Sequence, residues 1–190
     1  MIKYVKLFPL FFCVPAKAQL TLKISDEISP VLSRVIHDYP NYFSNITGDT
    51  LEQEIQFTNY ACTLKIKDEL PGIITQYGEA EDHVYSWKNV LLETENFEEA
   101  KRKFHLYYEQ IRKTTTIVKG SAIRLVADYT EPDDNKKFND IIFDIKSEDD
   151  VIKNAVIDLS LQNEMSEWKI TVSLYIVDDE HEAKQGDTDE

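Results

Sequence analysis

The chain has 190 residues, with 35 Asp+Glu against 21 Lys+Arg, a formal net charge of −14 and a hydrophobic content of 42%. That charge repels phosphate backbones and disfavours nucleic-acid binding through a basic face, while the apolar content suits a packed core and argues against global disorder. Five glycines are about 2.6% of the chain, against ~7% in ordinary domains, which leaves little material for a Gly-rich phosphate cradle.

Residues 1–18 read as a secretory signal peptide: Lys3 and Lys6 give a positive start, Leu7 to Val14 form a short apolar run, and Ala16-Lys17-Ala18 places small residues where a signal peptidase reads. The spacing predicts cleavage before Gln19. The run is too short to span a bilayer, which takes about 20 apolar residues, and Phe12 stands where lipoprotein processing at Cys13 wants a small residue. Losing Lys3, Lys6 and Lys17 leaves 18 basic residues against 35 acidic ones, a mature charge of −17. Cys13 leaves too, so Cys62 stands alone and no internal disulfide is expected. No later segment is long and apolar enough to span a membrane, and a periplasmic or secreted location follows from this reading.

The mature chain, residues 19–178, reads as one domain. Ser29-Pro30 looks like an N-cap with Pro at the first helical position, and Val31, Leu32, Val35, Ile36 and Tyr39 recur at helical spacing until Pro40. A loop through Tyr42, Phe43 and Ile46 is expected to turn at Gly48. From Leu51 the period is two: Leu51, Gln53, Ile55 and Phe57 share a face, Cys62, Leu64 and Ile66 mark a second strand, and Ile73, Thr75 and Tyr77 a third after the Pro71-Gly72 turn. Residues 79–82 form a polar loop and 83–92 a fourth strand. Asn96 with Glu99 fits a capping box, and Phe97, Ala100, Phe104, Tyr107, Tyr108 and Ile111 lie on one stripe. Glu98–Arg102 and Glu99–Lys103 are i,i+4 pairs, and Arg112 and Lys113 suit the negative end of the helix dipole.

Four more strands are expected, in 121–129, 138–146, 155–162 and 168–176, with a loop at 130–136 and a turn at 163–166. The last two carry one apolar and one largely polar face, which suits an antiparallel sheet solvated on one side. The tail, residues 179–190, is acidic, nearly without apolar residues, and reads as disordered. The architecture expected is two-layer α+β: two main helices on antiparallel meanders, in one sheet or two adjoining sheets. The order helix, four strands, helix, four strands fits a duplicated helix-plus-meander unit with halves 26–93 and 94–178.

No chemical motif assembles along the chain. Cys62 is in phase with Leu64 and Ile66 and reads as a buried, inert thiol. His37, His83, His105 and His181 form no HExxH or other close pair, although His37-Asp38 could be a base with its orienter. GxSxG, GxGxxG and GxxxxGKS are all missing. Acid clusters such as Glu131, Asp133 and Asp134, or Glu148, Asp149 and Asp150, are common by chance in so acidic a chain. Residues 133–144 fail the calcium-loop pattern at Lys137, Phe138 and Asp144. Asn45-Ile46-Thr47 has glycosylation-sequon spacing, and Tyr85, Trp87, Tyr107 and Tyr108 could line a ligand groove or serve the core. No catalytic, cofactor-binding or metal residue is assigned.

The runs FEEAKRKFHLYYEQI (97–111), YSWKNVLLETE (85–95), KKFNDIIFDI (136–145) and VIDLSLQNEMSEWKITVSLYIVD (156–178) resemble small uncharacterised secreted proteins of Bacteroidetes-type bacteria. The resemblance covers roughly residues 28–178, rests on aromatic and turn positions, and implies an envelope location and an α+β domain with no known activity. The function expected is an exported, non-enzymatic binding or protein-interaction domain with a protein or small-molecule partner. The alternatives are an inhibitor or chaperone-like partner of a basic protein, and a hydrolase with an unrecognised carboxylate/His site.

Overall fold

The computed structural model describes residues 27–66, 71–78, 84–147 and 152–176. The expected signal peptide, the 79–82 loop, His83, His181, the 148–150 acid cluster and the acidic tail lie outside them. Helix α1 (Ser29–Asp38) runs into a 3-10 turn at Tyr39–Asn41, because Pro40 cannot continue the α-helical hydrogen bonds. Strands β1 (Thr47–Gln53), β2 (Phe57–Cys62), β3 (Ile73–Tyr77) and β4 (Val84–Thr94) follow, then helix α2 (Phe97–Lys113), then β5 (Thr115–Val118), β6 (Ser121–Val126), β7 (Phe138–Lys146), β8 (Ala155–Glu164) and β9 (Glu167–Ile176).

All nine strands among the described residues join one antiparallel sheet in the order β1-β2-β3-β4-β9-β8-β7-β6-β5. Two meanders therefore meet at their last strands, with β4 and β9 paired from Trp87↔Leu174 to Thr94↔Trp168. A bulge between Val90 and Leu92 turns an extra residue, Leu91, into the core. The Leu91 carbonyl accepts a hydrogen bond from the Tyr107 hydroxyl at 3.3 Å, tying the bulge to α2.

One face of the sheet is apolar. Trp87, Leu174, Val172, Ile170, Leu159, Ile157, Ile141 and Phe143 cover it in register across four strands. Helix α2 lies against this face, touching β4, β6, β8 and β9, and buries Ala100, Phe104, Tyr107 and Ile111 completely. Each large side chain so buried stabilises by about 1.5–3 kcal/mol. Helix α1 contacts β5 and α2. The Ile28 N–H donates to Gln110 Oε1 at 2.7 Å and the Ser29 hydroxyl to the Gln110 carbonyl at 3.0 Å.

The edge strand β5 lies against α1, whereas the other edge strand, β1, follows α1 through a short loop. Beside β5, the Thr116 hydroxyl donates to the Ser33 carbonyl at 3.3 Å, and His37 Nδ1 lies 2.8 Å from the Ile117 carbonyl oxygen. At the other end of α1, the Thr47 N–H of β1 donates to the Phe43 carbonyl at 2.9 Å. Both edges are blunted against strand addition. Side chains of α1 occupy the β5 edge carbonyls, since the Ser33 hydroxyl also donates to the Thr115 carbonyl at 3.4 Å. Strand β1 is irregular, with register shifts between Thr47 and Thr50 and between Thr50 and Glu52, and it carries Asp49 and Glu52.

Several sequence expectations need correction. Ser29 is the first residue of α1, after Ile28, and its hydroxyl serves α2 instead of capping its own helix. Gly48 lies inside β1, where a Cβ would meet the Ala61 carbonyl oxygen at 2.9 Å; close approach, not turning, explains it. The alternating run Leu51–Phe57 is broken by a hairpin that closes with the Glu54 N–H donating to the Phe57 carbonyl at 2.8 Å, leaving Ile55 89% exposed at the tip. The second strand is β2, ending at Cys62, while Leu64 and Ile66 are buried from a connecting segment. The short strand β5 was not anticipated. The chain after Lys113 enters β5 at once, and a two-residue turn, Lys119-Gly120, returns it to β6.

The cap of α2 agrees at its core and differs in its return arm. Asn96 Oδ1 accepts the Glu99 N–H at 3.1 Å as expected. The Glu99 carboxylate accepts from the Thr94 hydroxyl at 3.0 Å, whose oxygen accepts the Asn96 N–H at 3.2 Å. Thr94 thus relays the second half of the capping box. At the other end Arg112 and Lys113 sit in the last turn, both paired to Glu109, at 3.0 and 2.9 Å.

Candidate functional site

The residues singled out from sequence do not converge. Cys62 is buried at the end of β2, where burial pushes its thiol up. Trp87 and Asn89 are buried beside Gly72, and a Cβ there would meet Trp87 Nε1 at 2.6 Å and Asn89 Nδ2 at 3.1 Å. His105 stacks edge-on to Tyr129 at 4.8 Å, on the flank of α2 that holds residues 127–131. There the Tyr108 hydroxyl donates to the Ala127 carbonyl, and Lys101 pairs with Glu131 at 2.7 Å. Asp133 forms a local turn, accepting the Asn135 N–H at 3.0 Å. Among the described residues no three His, Cys, Asp or Glu side chains gather as metal ligands.

His37 and Asp38 do not act on each other. His37 turns to the Ile117 carbonyl, while Asp38 is buried and accepts from the Asn41 side-chain amide, the Asn45 N–H and the Asn45 side-chain amide. Asn45, the sequon residue, is therefore engaged through its own amide. A cleft of about 250 Å³ opens between α1, the loop that follows it and β5, lined by Ser33, Arg34, His37, Asp38, Asn45, Ile46 and Thr116. The bonds to Asp38 hold a loop in which two consecutive non-glycine residues, Tyr42 (φ 56°) and Phe43 (φ 58°), are left-handed. Each such residue costs about 1 kcal/mol or more and persists only where its surroundings over-determine it. Phe43 is fully buried and edge-on to Tyr39 at 5.5 Å; Tyr42 projects outward.

The face of the sheet opposite α2 carries the polar side chains of the central strands. Register places Asp158 of β8 between Ile142 of β7 and Ser173 of β9, with Lys88 of β4 one strand further. One row along, Asp140 pairs with Ser160 and Ser160 with Thr171, their hydroxyl oxygens 2.6 Å apart. Asp158 Oδ1 is buried and accepts no hydrogen bond. Burial pushes the Asp158 carboxyl up to about 6, Asp140 adds to this by like-charge repulsion, and Lys88 opposes it. Tyr175 is raised by burial first, then by the same two carboxylates. This arrangement is an acceptor site: an oxygen without a donor, in a pair of acids, beside hydroxyls and the apolar Ile142. An N–H or ammonium group placed there would satisfy it.

No protein-family model, curated protein or solved structure matches the chain. The alternation of β8 in the sequence already set Asp158 and Ser160 on the polar face. Their meeting with Asp140 and Lys88 depends on strand order, which no spacing along the chain reveals.

Proposed function

We propose that the chain is an exported, non-enzymatic binding domain, and that its partner is a basic segment of another protein received at Asp158 and Asp140. The carrying observation is the buried Asp158 oxygen, which accepts no hydrogen bond among the described residues, on the sheet face opposite α2. An uncompensated buried acceptor costs about 1–3 kcal/mol, a cost that a donor from a partner would remove. The exposed Ile142 and Phe138 on the same strand face add apolar contact area at the rim. The blunted edges favour face binding over strand addition. The net charge of −14 favours an inhibitor or chaperone-like variant of the same reading, in which the partner is a basic protein.

Export rests on the signal-like start of the sequence. The two-layer and duplicated readings rest on the topology, one helix leading into each meander and the two terminal strands, β4 and β9, paired antiparallel at the centre. The test is retention of partners from the host's envelope fraction on the immobilised chain, compared with a D140N/D158N double variant. Proteins lost both with the double variant and at high salt support the reading; an identical retained set on both forms overturns it.

A further inference from the structure

We propose that the cleft between α1, the loop after it and β5 binds a small aliphatic monocarboxylate, with Arg34 as its anchor. Arg34 and His37 lie one helical turn apart on α1, and both line the cleft. Arg34 is exposed, and among the described residues its guanidinium has no ion-pair or hydrogen-bond partner. The neighbouring polar groups are committed. His37 Nδ1 lies 2.8 Å from the Ile117 carbonyl oxygen, which can only accept, so that nitrogen carries the proton and the ring stands as a fixed wall. The Thr116 hydroxyl donates to the Ser33 carbonyl, and the Ser33 hydroxyl to the Thr115 carbonyl.

Two features make this more than an arginine at the surface. The first is electrical. Asp38, the acid of the lining, is buried and met by N–H donors from Asn41 and Asn45, so its charge is matched inside the loop. Burial is the main cause that raises the Cys62 thiol, but of the two charges that bear on it the Arg34 cation outweighs the Asp38 anion. In a chain of net charge −14, the cleft is a place where a cation is left over. The second is rigidity. The loop that carries Asn45 and Ile46 is held by Asp38 on one side, and on the other by the Thr63 N–H, which donates to the Ile46 carbonyl at 2.8 Å. A cleft set before the guest arrives loses little freedom on binding.

That chemistry selects the ligand class. A guanidinium presents paired N–H donors that match the two oxygens of a carboxylate. One unmatched cation calls for one negative charge, since a phosphate dianion or a dicarboxylate would set its second charge against Asp38. Ile46 supplies apolar surface for a short hydrocarbon chain. At roughly 30 Å³ for each water-sized group, the 250 Å³ of the cleft admits about eight heavy atoms, an acid of about four to six carbons. This site is independent of the one at Asp158.

The test is an NMR titration of the isotope-labelled chain with sodium butyrate, with its uncharged analogue butyramide and with sodium sulfate, at constant ionic strength. Butyrate should move the Arg34 side-chain N–H signal and the main-chain signals of residues 33–46, saturating with a Kd on the order of 1–10 mM, while butyramide leaves them in place. Arg34→Gln should weaken butyrate at least about tenfold, and Arg34→Lys, which keeps the charge but not the paired donors, by less. Both variants should keep the thermal midpoint, because Arg34 is exposed and holds no partner among the described residues. Silence of residues 33–46 towards butyrate, an equal response to butyramide, or unchanged binding in Arg34→Gln would overturn the proposal. So would sulfate binding as tight as butyrate, which would reduce the site to general attraction of anions.

Discussion

The Asp38 carboxylate receives both the main-chain and the side-chain N–H of Asn45, seven residues further on. With the Asn41 amide as third donor, one buried acid holds the whole turn from the end of α1 to the start of β1. It lines the cleft between α1 and β5, and it fixes the loop from which Tyr42 projects.

Asp38→Ala should therefore destabilise the fold by about 2–4 kcal/mol, since hydrogen bonds to a charged acceptor contribute about 1.5–3 kcal/mol each and three donors lose theirs together. Asn45→Ala should cost about 1 kcal/mol, because the main-chain bond survives. Urea unfolding followed by tryptophan fluorescence measures both. Equal midpoints for D38A and the unmodified chain would remove Asp38 from this role.

Asp158 should make stability depend on pH in the sense opposite to most carboxylates. Its folded value, about 6, lies above the ordinary 3.8, so the folded state holds the proton more tightly than the unfolded one. The penalty is missing below pH ~4, sets in as pH rises through about 6, and is fully present at neutrality. Asp158→Asn should then stabilise by about 1–2 kcal/mol at pH 7.5, after allowance for solvent screening, and by almost nothing at pH 4. Thermal midpoints of the two forms at both pH values decide it. A gain of the same size at pH 4 would point to packing instead.

The β8–β9 hairpin turns at Met165 (φ 50°) and Ser166 (φ 77°), with Glu164 paired to Glu167. Both central residues are left-handed, the geometry for which Asn-Gly is the favoured pair. Replacing Met165-Ser166 by Asn-Gly should raise stability by about 1 kcal/mol and remove a fully exposed methionine. A lowered thermal midpoint in the double variant would contradict the turn assignment.

Thr94 should matter to α2 as much as its cap residue does. Thr94→Ala breaks both the Glu99 and the Asn96 links and should cost about 1–2 kcal/mol, against about 1 for Asn96→Ala. The double variant should cost less than the two single changes together, because the bonds share one network. Chemical unfolding of the three variants measures the coupling.

The Cys62 thiol should be silent in the folded chain and report its opening. Burial raises its pKa, so little thiolate forms near neutrality and the sulfur is shielded. A thiol reagent such as Ellman's should label it at the rate of unfolding, and Gly72→Ala should speed that labelling, since the added methyl meets the Trp87 indole and a main-chain carbonyl. Labelling of the native chain at the rate of a free thiol would show Cys62 to be accessible.

Most strands and the whole of α2 were legible because their signal is local. The stripe Phe97, Ala100, Phe104, Tyr107, Tyr108 and Ile111 has a single reading at 3.6 residues per turn, β7 alternates between buried and exposed positions, and β8 and β9 alternate between apolar and largely polar residues in sequence. The misreadings came where a local pattern was shared by two outcomes. Leu51, Gln53, Ile55 and Phe57 alternate across a hairpin as they would along one strand, and only the pairing partners distinguish the two. Four residues, Thr115–Val118, are too few to announce β5 against the end of a long helix.

By itself the sequence determined the α+β class, the helix and strand faces, the buried cysteine and the acidic balance, because periodicity and composition act within a few residues of each position. Tertiary structure alone decided the rest. It paired β4 with β9, set Asp158 beside Asp140, brought α1 against β5, and placed Tyr42 beside Tyr85. Those relationships join residues as far apart as Trp87 and Leu174, 87 positions along the chain, and what selects them is the burial of the whole apolar face around α2, a condition on the entire chain.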